Sequence, residues 1–170
     1  MLTGFVLFYV GAVLCLNGLW MLGRIQDREI VVINVATAVV SGAVTLHDAF
    51  GAGADAGSIR NAALGLLFCI TYAWVAHNRL ADVDGRGLGW FSLFVAITAV
   101  PVFLRALAEA HDLSTIWQAV NWAVWAVLWF LYFVLLALQK PIQRQTALFT
   151  LATGVCTGWI PGFLLLNGWL

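Results

Sequence analysis

Residues 115–138, TIWQAVNWAVWAVLWFLYFVLLAL, form an uninterrupted stretch of 24 residues without a charged side chain. A helix of about 20 residues crosses the hydrocarbon core of a bilayer, so this stretch is long enough to span a membrane. Five other stretches are similarly apolar. The sequence therefore predicts six transmembrane helices, at Leu2–Leu22, Glu29–Phe50, Ser58–Asn78, Leu88–Leu107, Thr115–Leu138 and Gln145–Trp169.

The composition of the whole chain agrees with membrane insertion. Of its 170 residues, 63% are hydrophobic and only 9% are charged, whereas about a quarter are charged in soluble domains. This excludes a water-soluble monomer. Eight basic residues balance eight acidic ones, so no basic surface for nucleic acid is expected. The three cysteines lie in apolar runs without metal-ligand spacing, which predicts buried side chains and argues against a metal site or a disulfide framework. No cofactor is expected.

The connectors between the apolar stretches are short, so we expect one transmembrane domain over residues 1–170 with neighbouring helices as antiparallel hairpins. The beginning of the chain, Gly4-Phe5-Val6-Leu7-Phe8-Tyr9, is echoed by Gly65-Leu66-Leu67-Phe68. The returning helices repeat a proline, at Pro101 and Pro161, where kinks are expected. The fold class predicted is an all-α integral membrane protein of three repeated two-helix hairpins.

The distribution of basic residues predicts the orientation. Six of the eight Lys and Arg residues lie at the odd-numbered turns, and only Arg60 and Arg105 lie at the even-numbered ones. Positive residues favour the cytoplasmic side of a membrane, so the odd turns are predicted inside and both termini outside. The first apolar stretch has no basic residue before it and no cleavage pattern after it, which favours a retained helix over a signal peptide.

The predicted membrane interior carries essentially no charged side chain. Buried acidic or basic residues are the usual mark of proton coupling or ion conduction, so both functions are disfavoured. The sequence also lacks HExxH, GxSxG and phosphate-binding glycine motifs, and we do not expect an enzyme. The polar residues within the helices are neutral, and they suit either helix packing or a route for a small neutral solute.

Aromatic and apolar side chains share helix faces in three of the predicted helices. Trp122, Trp125 and Trp129 lie at i, i+3 and i+7, and Phe68 and Tyr72 are four residues apart. The first helix presents a comparable face, made of Leu7, Val10, Leu14 and Asn17. From the residues alone, the tryptophan stripe fits helix packing or a pore lining equally well.

Several motifs together resemble the AmiS/UreI family of urea and short-chain amide channels, over nearly the whole chain. They are Leu7-Phe8-Tyr9-Val10-Gly11 through Asn17-Gly18, Gly65-Leu66-Leu67-Phe68 with Thr71-Tyr72, Trp90 through Ile97 with Pro101, Trp122 through Trp129, and Gly154 with Thr157-Gly158-Trp159-Ile160-Pro161. The resemblance implies a homo-hexamer in the bacterial inner membrane, surrounded by lipid, with a pore in every protomer. It also implies passive flux of urea or aliphatic amides, and a functional link to a cytoplasmic amidase or urease.

The resemblance also assigns residues to this pore. Tyr72 and Trp129 correspond to its inner constriction, where the indole would stack on the solute and the phenol would offer a hydrogen bond. The full set of candidate pathway residues is Leu7, Val10, Leu14, Phe68, Tyr72, Trp122, Trp125, Leu128, Trp129 and Thr153.

Two departures from the family pattern bear on regulation. Acid-activated members have a glutamate immediately before the matched Gly154, where this chain has Thr153, and a second tryptophan where it has Gln118. They also have longer, histidine-rich outer loops, whereas this chain has His111 and, near a helix end, His47. Histidine titrates between pH 5 and 8, so its scarcity disfavours acid gating. The amide-transporter branch of the family fits better.

We therefore expect a constitutively open channel for passive diffusion of acetamide, formamide and urea towards intracellular hydrolysis. Three alternatives remain open. A proton-gated urea channel differs only in regulation. A membrane scaffold without a solute pathway would show continuous packing where the Trp125 and Trp129 face meets Phe68 and Tyr72. A proton-coupled secondary transporter would accumulate its solute above equilibrium.

Overall fold

The computed structural model describes residues 1–170 and contains six long helices. Each is long and apolar enough to cross a membrane, which confirms the prediction of six transmembrane helices. They are α1 (Leu2–Met21), α2 (Ile30–Phe50), α3 (Ala56–Ala81), α4 (Arg86–Ala108), α5 (Leu113–Ala137) and α6 (Gln143–Leu166). The observed ends differ from the predicted ones by a few residues.

Capping residues explain why α3 and α5 begin earlier than predicted. The Asp55 carboxylate accepts a hydrogen bond from the Ser58 backbone N–H at 2.7 Å, and Asp112 accepts one from Thr115 at 2.8 Å. In both cases the hydroxyl at the third helical position accepts in return from the backbone of the capping residue, which completes a capping box. The bonds from Ser58 and Thr115 also lower the pKa of the two carboxyl groups.

Two helices widen into short π-helical segments. One segment, Phe133–Ala137, ends α5, and the other, Gly154–Trp159, lies within α6 just before Pro161. The segment in α6 occupies the turn before Pro161, where the missing proline N–H leaves one regular helical hydrogen bond unmade. The backbone of α4, by contrast, stays α-helical through Pro101.

The six helices close into a ring. The most extensive packing is between α2 and α3, between α4 and α5, and between α1 and α6. The predicted hairpins α1–α2, α3–α4 and α5–α6 are present but more open, and α3 and α4 touch least. Since α6 returns to α1, the repeat surrounds a central axis.

Glycines allow α1 and α6 to approach closely. Gly11 faces the backbone of Trp159, and a Cβ added at Gly158 would lie 2.5 Å from the Gly11 Cα. Gly162 meets the backbone of Phe8 in the same way. Gly158 and Gly162 therefore serve the close approach of two helices within one protomer.

The odd-numbered turns meet at one end of the ring. The Trp20 indole donates to the Asp27 carboxylate at 2.7 Å, and Arg79 forms an ion pair with the same carboxylate at 3.5 Å. The Arg79 guanidinium also lies 5.3 Å from the centroid of the Trp20 ring. Loops that are far apart in sequence are thereby held together at this end.

Every buried polar side chain in the ring is neutral. The buried set consists of Asn, Ser and Thr residues, and no Asp, Glu, Lys, Arg or His is among them. The expected absence of charge from the interior is therefore observed. The prediction that all three cysteines are buried is wrong: Cys15 and Cys69 are half-buried, and Cys156 is exposed on the protomer surface. Exposed apolar residues are normal on a face that meets lipid or a neighbouring protomer.

Candidate functional site

Two cavities lie inside the ring of helices. The outer cavity has a volume of about 510 Å³ and lies at the end that carries both chain termini. Its wall includes Leu7, Val10 and Trp122, together with neutral polar side chains such as Asn61 and Asn121. The ionisable side chain in this wall is Asp48. This cavity is large enough to admit a small solute together with part of its hydration shell.

The inner cavity is much smaller. Its volume is about 30 Å³, room for about two water molecules. None of its wall residues is charged. They are Leu14, Asn17, Phe68, Thr71, Tyr72, Val75, Leu88, Ser92, Trp125, Leu128, Trp129 and Tyr132.

Phe68 and Trp125 separate the two cavities, because both residues belong to both walls. We call Phe68, Trp122, Trp125 and Trp129 the aromatic cluster. The Phe68 ring packs edge-on against the other three, with centroid distances of 6.2 Å to Trp122, 4.9 Å to Trp125 and 4.8 Å to Trp129. These distances are those of favourable ring pairs, so the narrowest part of the interior is a packed aromatic contact.

Hydrogen bonds orient two indoles of the aromatic cluster. The Trp125 Nε1–H donates to Thr157 Oγ1 at 2.9 Å, and the Trp129 Nε1–H donates to Thr71 Oγ1 at 3.3 Å. The Thr157 hydroxyl donates in turn to the backbone carbonyl of Thr153 at 2.7 Å. Both N–H groups therefore have protein partners, and the rings present mainly their apolar faces to the cavities.

The structure distributes the candidate pathway residues along the axis. Leu7, Val10 and Trp122 line the outer cavity; Leu14, Tyr72, Leu128 and Trp129 line the inner one; Phe68 and Trp125 line both.

Thr153 is the exception, because it is buried but lines neither cavity. The threonine that supports the aromatic cluster directly is Thr157, one helical turn later, and Thr153 contributes the carbonyl that accepts from it. The assignment of Thr153 to the cavity wall is therefore corrected to a supporting position behind Trp125.

Six residues of the inner wall were not assigned from the sequence. Helical periodicity points to two of them. Asn17 shares the helix face of Leu7, Val10 and Leu14, and Tyr132 follows Trp129 by three residues. Leu88 and Ser92 on α4 were not assigned, because the aromatic residues of α4 occur on several of its faces and did not single out one of them. The six are Asn17, Thr71, Val75, Leu88, Ser92 and Tyr132.

The scaffold alternative predicted continuous packing between the third and fifth helices. Packing is indeed close at Phe68. However, Tyr72 and Trp129 face a shared cavity immediately inside this contact, and a larger cavity lies immediately outside it. The interior therefore contains two cavities separated by an aromatic contact rather than continuous packing, which favours a pathway over a scaffold.

The histidines lie outside the cavity walls, although His47 contacts Asp48 of the outer wall at 3.3 Å. His47 and His111 are exposed, and each lies close to the neighbouring aspartate on its own connector or helix end. His77 is exposed near the opposite end of α3. No histidine lines either cavity.

A ring of six apolar helices around two internal cavities, the inner one with an uncharged wall, defines a multi-pass membrane protein with a pore in the protomer. Within this class, the chain belongs to the AmiS/UreI family of transporters, whose family model matches residues 2–169. It is 40% identical over 166 residues to a Mycolicibacterium smegmatis protein named as an amidate substrates transporter, covering 97% of this chain and 76% of that protein.

The family also includes solved structures. The chain is 32% identical over 189 residues to the acid-activated urea channel of Helicobacter pylori strain J99, covering 96% of this chain and 97% of that protein. A cryo-EM structure of the H. pylori urea channel in a closed state superposes with a TM-score of 0.83 at 32% identity, covering 99% of both chains. The resemblance predicted from the sequence motifs is confirmed.

Proposed function

We propose that the protein is a membrane channel through which urea and short-chain amides such as acetamide and formamide diffuse passively. The observation that carries this proposal is the uncharged wall of the inner cavity, which the aromatic cluster separates from the larger outer cavity. Its relatives named as an amidate transporter and as a urea channel support the same solute class.

The wall chemistry suits a small planar amide. Aromatic faces stack on a planar group, and neutral hydroxyl and amide groups replace some hydrogen bonds that the solute loses with water. A cation or anion would find no compensating charge in the inner cavity, so nothing there would offset the free-energy cost of its desolvation. The channel therefore selects neutral solutes and excludes ions.

Passage requires a movement of the aromatic cluster, because Phe68 is in contact with Trp125 and Trp129. Displacing Phe68 from its three ring partners costs about 1.5–4.5 kcal/mol at about 0.5–1.5 kcal/mol per pair, a barrier that thermal motion crosses. No titratable group lies at this contact. We propose that the pore opens by this ring movement without acid activation.

Localisation and assembly form a second part of the proposal. The excess of basic residues at the odd turns supports a bacterial inner-membrane protein with both termini outside. A stripe of exposed apolar residues on α4, Trp90, Phe94 and Ile97, supplies a face for lipid or for neighbouring protomers of a homo-hexamer. A cytoplasmic amidase or urease would consume the entering solute and keep its gradient inward.

The test measures urea and acetamide permeability in proteoliposomes by stopped-flow light scattering. Trp129→Ala should change the ratio of acetamide to urea permeability, because Trp129 lines the inner cavity. Phe130→Ala is the matched control, since the adjacent Phe130 is exposed and lines neither cavity. Equal ratios in wild type, Trp129→Ala and Phe130→Ala would contradict a route past Trp129.

A further inference from the structure

Most hydrogen-bond donors around the inner cavity are already used within the protein. The indole N–H groups of Trp125 and Trp129 donate to threonines, as described above. The hydroxyl hydrogens of Thr71 and Ser92 are donated to backbone carbonyls one turn earlier, each at 2.7 Å. Four of the donor side chains in the wall are thus unavailable to a solute.

The Tyr132 hydroxyl is also occupied. It lies 3.2 Å from Thr150 Oγ1, and the Thr150 hydroxyl donates its own hydrogen to the Thr146 carbonyl at 2.7 Å. The Tyr132 hydroxyl therefore donates its one hydrogen either to Thr150 Oγ1 or to Met21 Sδ, which lies at 3.4 Å, and in both cases the hydrogen is used within the protein.

Only Asn17 and Tyr72 keep a donor for a solute in the inner cavity. Asn17 Nδ2 has two hydrogens and gives one to Asn34, which leaves the other unpaired. Tyr72 lines the cavity, and its hydroxyl has no hydrogen-bond partner in the protein. This hydroxyl is not among the fully buried unpaired polar atoms, so it remains accessible. A carbonyl oxygen, with two lone pairs, accepts two such hydrogen bonds.

Asn34 holds the Asn17 amide in a defined orientation. Asn34 Nδ2 donates to the Ile30 carbonyl at 2.9 Å, so its nitrogen and oxygen cannot be exchanged without losing this bond. Its second N–H donates to Asn17 Oδ1 at 2.7 Å, and its Oδ1 accepts from Asn17 Nδ2 at 3.2 Å. Asn34 is fully buried and lines neither cavity, so it acts only through Asn17.

We propose that Asn17, oriented by Asn34, is a specificity-determining residue that donates a hydrogen bond to the carbonyl oxygen of urea or a primary amide in the inner cavity. Tyr72 supplies the second donor to the same oxygen. This proposal rests on the proposed function, and it names the group that distinguishes an amide from water and from solutes without a carbonyl. Asn34 is a positioning residue.

The decisive variant is Asn17→Ala, because two roles of Asn17 predict opposite results. If Asn17 only fills space, its truncation widens the cavity and raises urea and water permeability together. If it binds the solute carbonyl, urea permeability falls although the cavity is wider. We expect the ratio of urea to water permeability to fall about two- to tenfold, the effect of one lost hydrogen bond.

Two further variants complete the experiment. Asn34→Leu removes the bonds that position Asn17 without changing the cavity wall. The ratio of urea to water permeability should therefore fall, as it does in Asn17→Ala. Thr146→Val removes a buried hydroxyl that bonds only within its own helix and lines neither cavity, so its ratio should equal that of wild type. Permeabilities are measured in proteoliposomes at equal amounts of folded, reconstituted protein.

The outcomes separate this inference from the proposed function. A wild-type protein without excess urea flux would overturn the channel itself. Wild-type flux with an unchanged or increased urea-to-water ratio in Asn17→Ala would overturn the role of Asn17 and leave the channel standing. A reduced ratio in Asn17→Ala but not in Asn34→Leu would remove only the positioning role of Asn34.

Discussion

Replacing Phe68 by alanine should weaken the fold and at the same time open the pathway. Phe68 makes three edge-on ring contacts, at 4.8, 4.9 and 6.2 Å, and each such pair contributes about 0.5–1.5 kcal/mol. Three pairs give about 1.5–4.5 kcal/mol, which overlaps the about 3–5 kcal/mol measured for truncating buried aromatic residues. Because Phe68 is only half-buried, we expect a stability loss of about 3 kcal/mol.

The same substitution removes one side of the boundary between the two cavities. If a solute must displace at least one of these ring pairs, each worth about 0.5–1.5 kcal/mol, their removal speeds its passage at least about two- to tenfold. The gain should be greater for a longer amide such as butyramide than for urea, because the larger solute requires the larger ring displacement. Selectivity between amides of different size should therefore decrease.

Two assays test these opposite effects. Thermal unfolding in detergent measures the stability loss, and stopped-flow light scattering measures permeability per folded channel. Phe130→Ala, on the exposed face of α5, controls for the loss of a phenyl ring elsewhere. If butyramide and urea permeability per folded Phe68→Ala channel stayed equal to wild type, Phe68 would be a packing residue and the route between the cavities would be refuted.

Three other predictions concern packing and pH. Gly11→Val should lower the melting temperature, with an overpacking cost of about 1–3 kcal/mol, whereas Gly53→Val should not, because nothing lies within 4 Å of a Cβ at Gly53. The melting temperature should be constant between pH 5 and 7 and should decrease when the pH falls below 3.8, the ordinary carboxyl pKa. Because Asp55 and Asp112 have lowered pKa values, their capping contribution is present above that pH and is lost as they become protonated. Alanine at both positions should make this decrease smaller. Urea permeability should also vary little between pH 5 and 7, and a steep rise towards pH 5 that disappears in His111→Ala would instead support acid gating.

The number of helices and the faces that line the interior followed from hydrophobic periodicity. Tryptophans at i, i+3 and i+7 must share one side of a helix, so Trp122, Trp125 and Trp129 were placed together from spacing alone. The same reasoning placed Leu7, Val10 and Leu14 correctly on α1, and these residues line one or the other cavity.

Features that depend on contacts between helices could not be read in this way. The face of α4 that carries Leu88 and Ser92 has ordinary composition, and only packing against α3 and α5 brings it to the inner cavity. Likewise, the family resemblance pointed to Thr153 but could not show that it lies behind the cavity wall. That placement depends on the wider turn of Gly154–Trp159 and on the hydrogen bond from Trp125 to Thr157, which only the folded structure shows. The unpaired N–H of Asn17 is evident only when the hydrogen-bond partners of all the side chains around the inner cavity are known.

The central claim is that small neutral amides cross the membrane through the interior of this protein by diffusion. Its most direct test is the permeability of wild-type proteoliposomes to urea and acetamide, compared with protein-free vesicles of the same lipid. We predict excess permeability to both solutes, and a final internal concentration equal to the external one with or without a pH gradient. Permeability no higher than that of empty vesicles, with folded and correctly inserted protein, would contradict the claim, as would accumulation above equilibrium when a pH gradient is applied.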